Sequence, residues 1–142
     1  MIELIDINNS KPYKIFAEYY HQAIQSKQFL PEAVSISSFN SLTNEVDSRY
    51  VNLKYIINNE WIFFSNYDSN KSKDLASHDQ IAVLIYWASI NVQIRMKAKV
   101  KKTSSIFSDK HFKKRSKEKN ALAISSNQSK TIDSYKNVIK NF

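Results

Sequence analysis

The sequence predicts a mainly β protein with flanking helices, built as one small barrel, and three runs of residues predict it. Residues 91–101 alternate strictly: Val92, Ile94, Met96, Ala98 and Val100 share one face, while Gln93, Arg95, Lys97, Lys99 and Lys101 share the other. That is the period of a half-buried strand. Residues 33–39 (A-V-S-I-S-S-F) alternate too, and residues 81–87 (I-A-V-L-I-Y-W) are continuously apolar, as in a strand buried on both faces. Short polar connections make the neighbours antiparallel, about five or six strands in a Greek key or meander. With 142 residues and no linker or internal repeat, 1–142 reads as a single domain.

The elements follow in order. Ser10-Lys11-Pro12 is a helix start, and Ile15, Phe16, Tyr19, Tyr20, Ala23 and Ile24 recur at helical spacing, which predicts an amphipathic helix over 12–27. Pro31 ends the link to the first strand, and 40–47 is a polar connection. A second strand over 48–57 runs through Asn58-Asn59 into a third over 61–67. Asn-Asn suits a hairpin in a chain without glycine, because Asn tolerates positive φ. Ser69 is placed to cap a short helix reaching 75–77. After the buried and alternating strands, 104–113 and 118–124 read as helices, and Ile132, Tyr135, Val138, Ile139 and Phe142 mark a packed final helix over 131–142. So few strands leave an open edge, which a dimer can cover.

Composition excludes several chemistries. The chain has no cysteine, hence no disulfide frame, Cys-based zinc site or thiol nucleophile, which suits a cytoplasmic protein. His21, His78 and His111 are far apart and lack metal-ligand spacing. No apolar run reaches membrane-spanning length, and the first ten residues carry two acids rather than a basic leader. Glycine is absent, so neither a Walker loop nor a G-x-G-x-x-G fingerprint is present. Any phosphate must be held mainly by Arg, Lys and Ser/Thr side chains, helped by a helix N-terminus. A net charge of +8 points to an anionic partner. Nucleic acid is one, through Lys97, Lys99, Lys101, Lys102, Lys113 and Lys114, but no RNP-like or helix-turn-helix pattern accompanies the charge.

The stretch from Arg49 to Gln93 combines two neighbouring strands, a cationic turn rich in hydroxyl and amide donors, and a buried strand behind them. A flat aromatic ligand bearing a phosphate suits such a surface: Arg offers a fork, Lys a point charge and Ser a neutral donor. Residue by residue the bland reading competes. Arg49 and Lys71 alone read as solvated charges, Gln93 as an exposed strand residue, Gln128-Ser129 as a helix start, Trp87 as core and His111 as a surface helix residue.

Several fragments in register resemble the pyridoxamine 5'-phosphate oxidase family. Arg49-Tyr50-Val51-Asn52-Leu53-Lys54 is similar to its R-x-V-L-L-K strand, and Phe63-Phe64-Ser65-Asn66-Tyr67-Asp68-Ser69-Asn70-Lys71 to F-Y-T-N-x-x-S-R-K. Trp87 with Gln93 resembles W-x(5)-Q, His111-Phe112 with Arg115 resembles Y-F-x-x-R, and Asn127-Gln128-Ser129 resembles x-Q-S. The resemblance implies a split β-barrel homodimer with FMN at the subunit interface. It assigns the FMN phosphate to Arg49, Ser65 and Lys71, beside Asn70, and backbone contacts to Tyr50, Val51, Asn52, Leu53, Lys54 and Phe64. Leu53 and Val51 would also wall the flavin ring. Gln93, Gln128 and Ser129 would come from the partner subunit. Lys54, His111, Arg115 and Lys119 would form a cationic group for a small phosphorylated or anionic substrate.

The function implied is hydride transfer from an amine or alcohol to FMN, with reoxidation by oxygen. A flavin- or pyridoxal phosphate-binding protein without turnover is the alternative, and a basic nucleic-acid-binding barrel is a third. This sequence departs from the family pattern at Asn70 (Arg in the family), His111 (Tyr), Lys119 (Ser) and Ala98 (Gly). The family pattern also continues past Phe142 to a Trp and an R-x-H-x-R motif that help hold FMN and orient the pyridoxal ring. On this reading, replacing Arg49 and Lys71 with alanine abolishes flavin retention with little change in fold.

Overall fold

Strand β3 (Glu45–Ile57), 13 residues long, belongs to two pairings at once, and the rest of the chain is laid out around it. The computed structural model describes residues 1–67 and 69–125, with side chains as far as residue 121. The first half of β3 pairs antiparallel with β2 (Ala33–Asn40), Ala33 opposite Asn52 and Asn40 opposite Glu45. Its second half pairs antiparallel with β4 (Glu60–Phe63) and parallel with β1 (Glu3–Ile5). Strand β2 then pairs with β5 (Gln80–Trp87), and β5 with β6 (Val92–Lys99), both antiparallel. The sheet order is β1-β3-β2-β5-β6, with β4 also on β3. The expected barrel is present as an open sheet, since β6 pairs with β5 alone among the described strands.

Among the described residues four α-helices flank it: α1 (Lys11–Gln25), α2 (Asn70–Ser77), α3 (Ser105–Lys114) and α4 (Lys117–Ser125). Helix α1 buries Phe16, Tyr20 and Ala23 against Val34, Ile36, Ile85 and Trp87 on the sheet's inner face. Phe16 meets Trp61 edge-on at 4.5 Å between ring centroids and Trp87 at 5.6 Å. The Trp87 indole N–H donates to the Pro31 carbonyl at 2.9 Å, so the largest core side chain has its polar atom satisfied. The buried Tyr20 hydroxyl accepts from the Ile2 backbone N–H at 2.6 Å, tying the N-terminal segment to the helix. No helix among the described residues is long and apolar enough to cross a membrane.

Without glycine, the turns use other residues. Asn44, Asn58 and Asn91 take left-handed backbone at the ends of strands, where Asn is the least strained substitute. Asn58-Asn59 forms the expected hairpin, with Ile57 opposite Glu60. Helix α1 stops two residues short of the expected limit because Lys27 turns left-handed (φ 55°). Gln28 N–H then bonds to Ala23 C=O and Lys27 N–H to Ile24 C=O, a Schellman closure with lysine in glycine's usual place.

Other expectations shift for physical reasons. The polar connection over 40–47 shrinks to a four-residue turn: β2 runs to Asn40 and β3 begins at Glu45, and in the turn between them the Asn40 side-chain oxygen accepts from the N–H groups of Leu42 and Thr43. The third strand stops at Phe63 rather than 67, because Phe64 leaves the ladder to stack on α3. Residues 81–87 are not buried on both faces of the chain. Ile81, Ile85 and Trp87 are buried, whereas Leu84 is 42% and Tyr86 55% exposed. Tyr50, 78% exposed, lies on that same outer face: Tyr50 opposes Ser35, Ser35 opposes Leu84, and Leu84 opposes Arg95. The expected helix over 131–142 lies outside the described residues.

Candidate functional site

The residues singled out from the sequence fall into two groups along β3. The first surrounds Arg49, which points to the inner face beside Val51 and opposite Ile36. Its guanidinium donates to the Ser38 hydroxyl and, at 3.1 Å, to the Asp74 carboxylate on α2. Ser38 Oγ and Asn40 Nδ2 donate to the same carboxylate, at 3.1 and 2.9 Å. Next to Arg49, the Lys71 ammonium donates to the hydroxyls of Ser65 and Ser69. Burial and the neighbouring Arg49 charge both push the Lys71 pKa below its ordinary value.

Local structure explains this gathering. Ser69 begins α2 as expected, but its hydroxyl does not cap the helix; it donates to the Asn66 carbonyl at 2.8 Å and accepts from Lys71. Ser72 Oγ donates to the same carbonyl, also at 2.8 Å. The first-turn N–H groups of any helix lack intrahelical acceptors. The start of α2 therefore brings backbone donors, two serine hydroxyls and Lys71 close to a strand-borne arginine. Two cations lie side by side in a partly buried place, Arg49 paired with the Asp74 carboxylate and Lys71 among neutral hydroxyls; the one net positive charge and the free donors suit a compact anion such as a phosphate monoester.

The second group lies where β3 meets β4. Leu53 opposes Phe63 and Tyr55 opposes Ile62, so Lys54 is an extra residue, a bulge. In a regular strand Arg49 and Lys54 would face opposite sides; the bulge breaks that alternation at Lys54 and re-aims the residues beyond it. The His111 ring stacks flat on Phe64, with centroids 3.7 Å apart, and its Nδ1 shares a 2.9 Å hydrogen bond with the Tyr55 hydroxyl. Phe107 completes the cluster, edge-on to Tyr55. Burial, Arg115 and Lys54 lower the His111 pKa, with Lys114 adding to them and Glu3 opposing. Lys54, His111 and Arg115 are therefore neighbours, as expected. Lys119 joins them through its backbone carbonyl, which accepts from Arg115 at 3.0 Å.

The shift on His111 sets a sign. Its folded pKa lies below the ordinary 6.5, so the unfolded chain binds the proton more readily. The contribution to stability is complete above that value and is lost as pH falls through the folded one. The thermal midpoint is expected to drop on acidification in this window, and His111→Phe, which keeps the stack, is expected to flatten that part of the profile. An unchanged slope in the variant would show that His111 does not titrate as its surroundings imply.

Other expectations sit differently. Val51 and Leu53 turn their side chains into the core (9% and 2% exposed), so they cannot wall a ligand; packing against α1 and β5 claims them. Among the described strands none pairs with the outer edge of the first half of β3, so backbone groups around Tyr50 and Asn52 remain at a free edge. Gln93 lies on the outer face opposite Tyr86, away from Arg49 within one chain. Asn70 is exposed at the start of α2. Gln128 and Ser129 lie outside the described residues. Sequence reasoning missed Asp74, Ser38 and Asn40. A usable signal existed: Asp74 is the lone acid among residues 70–77, one helical turn from Lys71.

Comparison with known proteins bears on the family and the fold. The family model described as pyridoxamine 5'-phosphate oxidase matches residues 24–140. A pyridoxine/pyridoxamine 5'-phosphate oxidase of Colwellia psychrerythraea is 36% identical over 125 residues, 88% of this chain and 57% of that protein. One of Vesicomyosocius okutanii is 34% identical over 137 residues, 96% of this chain and 63% of that protein. The chain thus spans about three fifths of the length of such relatives. Among solved structures, PhzG from Burkholderia lata 383, in complex with tetrahydrophenazine-1-carboxylic acid, superposes with a TM-score of 0.85 at 20% identity, over 93% of this chain and 65% of PhzG. A pyridoxamine 5'-phosphate oxidase-related, FMN-binding protein from Nostoc punctiforme superposes at 0.71 and 10% identity, over 92% of this chain and 72% of that one. These structures share the fold, and with the match over residues 24–140 the chain belongs to the pyridoxamine 5'-phosphate oxidase family.

Proposed function

We propose that the chain is an FMN-binding oxidoreductase domain that acts as a homodimer on a small anionic amine or alcohol. The observation that carries this reading is the pairing of Lys71 with Arg49 among the hydroxyls of Ser65 and Ser69, a partly buried double cation that a phosphate relieves. FMN supplies such a phosphate, and the free edge near Tyr50, Asn52 and Lys54, with Phe64 beyond, would carry the rest of the cofactor along β3. About five strand residues separate Arg49 from Lys54, roughly 16 Å, a span suited to a phosphate at one end and a ring at the other.

The chemistry supplied by bound FMN is acceptance of a hydride from the substrate carbon and return of the electrons to oxygen. The chain's own residues would bind and orient. Lys54 and Arg115, with Lys119 nearby, would hold the substrate's anionic end. His111, kept neutral by its surroundings, offers a flat platform with Phe64 and a hydrogen-bonding edge fixed by Tyr55. A carboxylate satisfies such cations as a phosphate does, and PhzG was solved with tetrahydrophenazine-1-carboxylic acid. The outer face bearing Tyr50, Leu84 and Tyr86 is proposed as the contact between subunits. Gln93 on that face, with Gln128 and Ser129, would reach the partner's cofactor.

The visible spectrum tests the cofactor, because protein aromatics do not absorb near ~450 nm. Purified protein is expected to be yellow, or to take up added FMN in preference to riboflavin, and to oxidise a pyridoxamine- or pyridoxine-phosphate-like substrate with peroxide release. Protein that is colourless and takes up no FMN would overturn the reading. Retained FMN that no anionic amine or alcohol reduces under anaerobic conditions would leave a binding protein without turnover.

A further inference from the structure

We propose that Asp74 is a positioning residue: it fixes the Arg49 guanidinium beside Lys71, so that the site discriminates for a ligand's phosphate. The inference rests on the phosphate site proposed above. Asp74 is 5% exposed, and both its oxygens are engaged. Oδ1 accepts from Asn40 Nδ2 at 2.9 Å; Oδ2 accepts from Ser38 Oγ and Arg49 Nη2, each at 3.1 Å. Ser38, itself 2% exposed, also accepts from Arg49 Nη1, so Arg49, Ser38 and Asp74 close a ring in which two of the five guanidinium N–H donors are committed. The remaining donors are held in a fixed plane. Without Asp74, the nearest other carboxylate to Arg49 among the described residues is Asp47, at 3.7 Å and on a side chain 69% exposed, and the long arginine stem would be free to follow it outward.

Charge and orientation predict opposite outcomes, which makes the role separable from simple electrostatics. Arg49, Lys71 and Asp74 together carry one net positive charge. Removing the carboxylate raises that charge, and on Coulomb's law alone an anion should bind more tightly. If Asp74 positions Arg49, its loss weakens phosphate binding despite the gain in charge, because a fork that must be ordered on binding gives up rotamer freedom.

Dissociation constants for FMN and for riboflavin, which lacks the phosphate, measured on the full chain by flavin fluorescence, decide between them. Asp74→Ala is expected to raise the Kd for FMN about tenfold, the loss of roughly one charge-assisted hydrogen bond, while leaving that for riboflavin unchanged. Asp74→Asn keeps a carbonyl acceptor for Arg49 and is expected to return the FMN Kd to within about threefold of the parent. Asn40→Ala, which loosens the carboxylate without removing its charge, covers the case in which Asp74→Ala does not fold; an FMN-selective loss of about threefold is expected. An FMN Kd unchanged or lowered in Asp74→Ala and Asn40→Ala, or FMN and riboflavin weakening in equal proportion there, would overturn the role of Asp74. A parent protein that does not distinguish FMN from riboflavin would instead overturn the phosphate site itself.

Discussion

Lys71→Ala is expected to give a folded protein that loses FMN on purification, whereas Arg49→Ala loses both FMN and stability. Lys71 is a half-buried cation beside another cation, and its partners are neutral hydroxyls. Its removal relieves repulsion in the empty site, so the thermal midpoint should hold or rise. With phosphate bound, it forfeits a charged hydrogen bond of about 1.5–3 kcal/mol, roughly 10- to 150-fold in Kd. Arg49 differs because Asp74, with a side chain 7% exposed, depends on it as counter-ion. Breaking a buried pair from one side costs about 3–5 kcal/mol. Since the Arg49 side chain is 21% exposed, about 2–4 kcal/mol is the reasonable expectation here, a drop of about 5–15 °C in midpoint. This corrects the expectation from sequence that both residues can be removed with little change in fold. Thermal unfolding with a flavin titration checks both variants. An Arg49→Ala protein as stable as its parent would mean that the Asp74 pair contributes nothing.

The second large effect concerns the outer face. If the outer face is the subunit contact proposed above, Leu84→Glu is expected to give a colourless monomer. Leu84 is 42% exposed in the single chain and directly opposes Arg95, so a glutamate there has a cross-strand partner and should leave the chain's own fold nearly untouched. In a contact that buries this face, the same glutamate is a charge removed from water in each subunit, at several kcal/mol apiece. If Gln93 and residues 128–129 serve the partner's cofactor, colour is lost with the contact. Light scattering and absorbance of the variant give the answer, and a variant still dimeric and yellow would move the interface elsewhere.

What was readable in the sequence follows from the range of the forces involved. Strands β2 and β6 and helices α1, α2 and α3 were legible to within a residue or two because periodicity and turn residues are local signals. Strand β1 was not, since three residues of parallel pairing to Tyr55, Ile56 and Ile57 leave no local pattern. The outward face of β5 was misjudged because Leu84 and Tyr86 are apolar yet find no cover within the described chain. At the site, Arg49, Ser65 and Lys71 converge as anticipated, and so do Lys54, His111 and Arg115. What spacing could not reveal is that Arg49 already holds a buried carboxylate. That contact joins β3 to α2 across 25 residues, and charge counted along a chain does not show which charges meet.

The bulge at Lys54 works as a vernier in β3. Upstream of it, Arg49, Val51 and Leu53 present the inner face, and beyond it the count begins again in a new phase. Strand length between the two cationic groups is therefore quantised. Adding or losing one residue in the regular stretch upstream of it would swing Arg49 to the solvent side, so without a second bulge the reach between the two ends of the site changes in steps of a dipeptide.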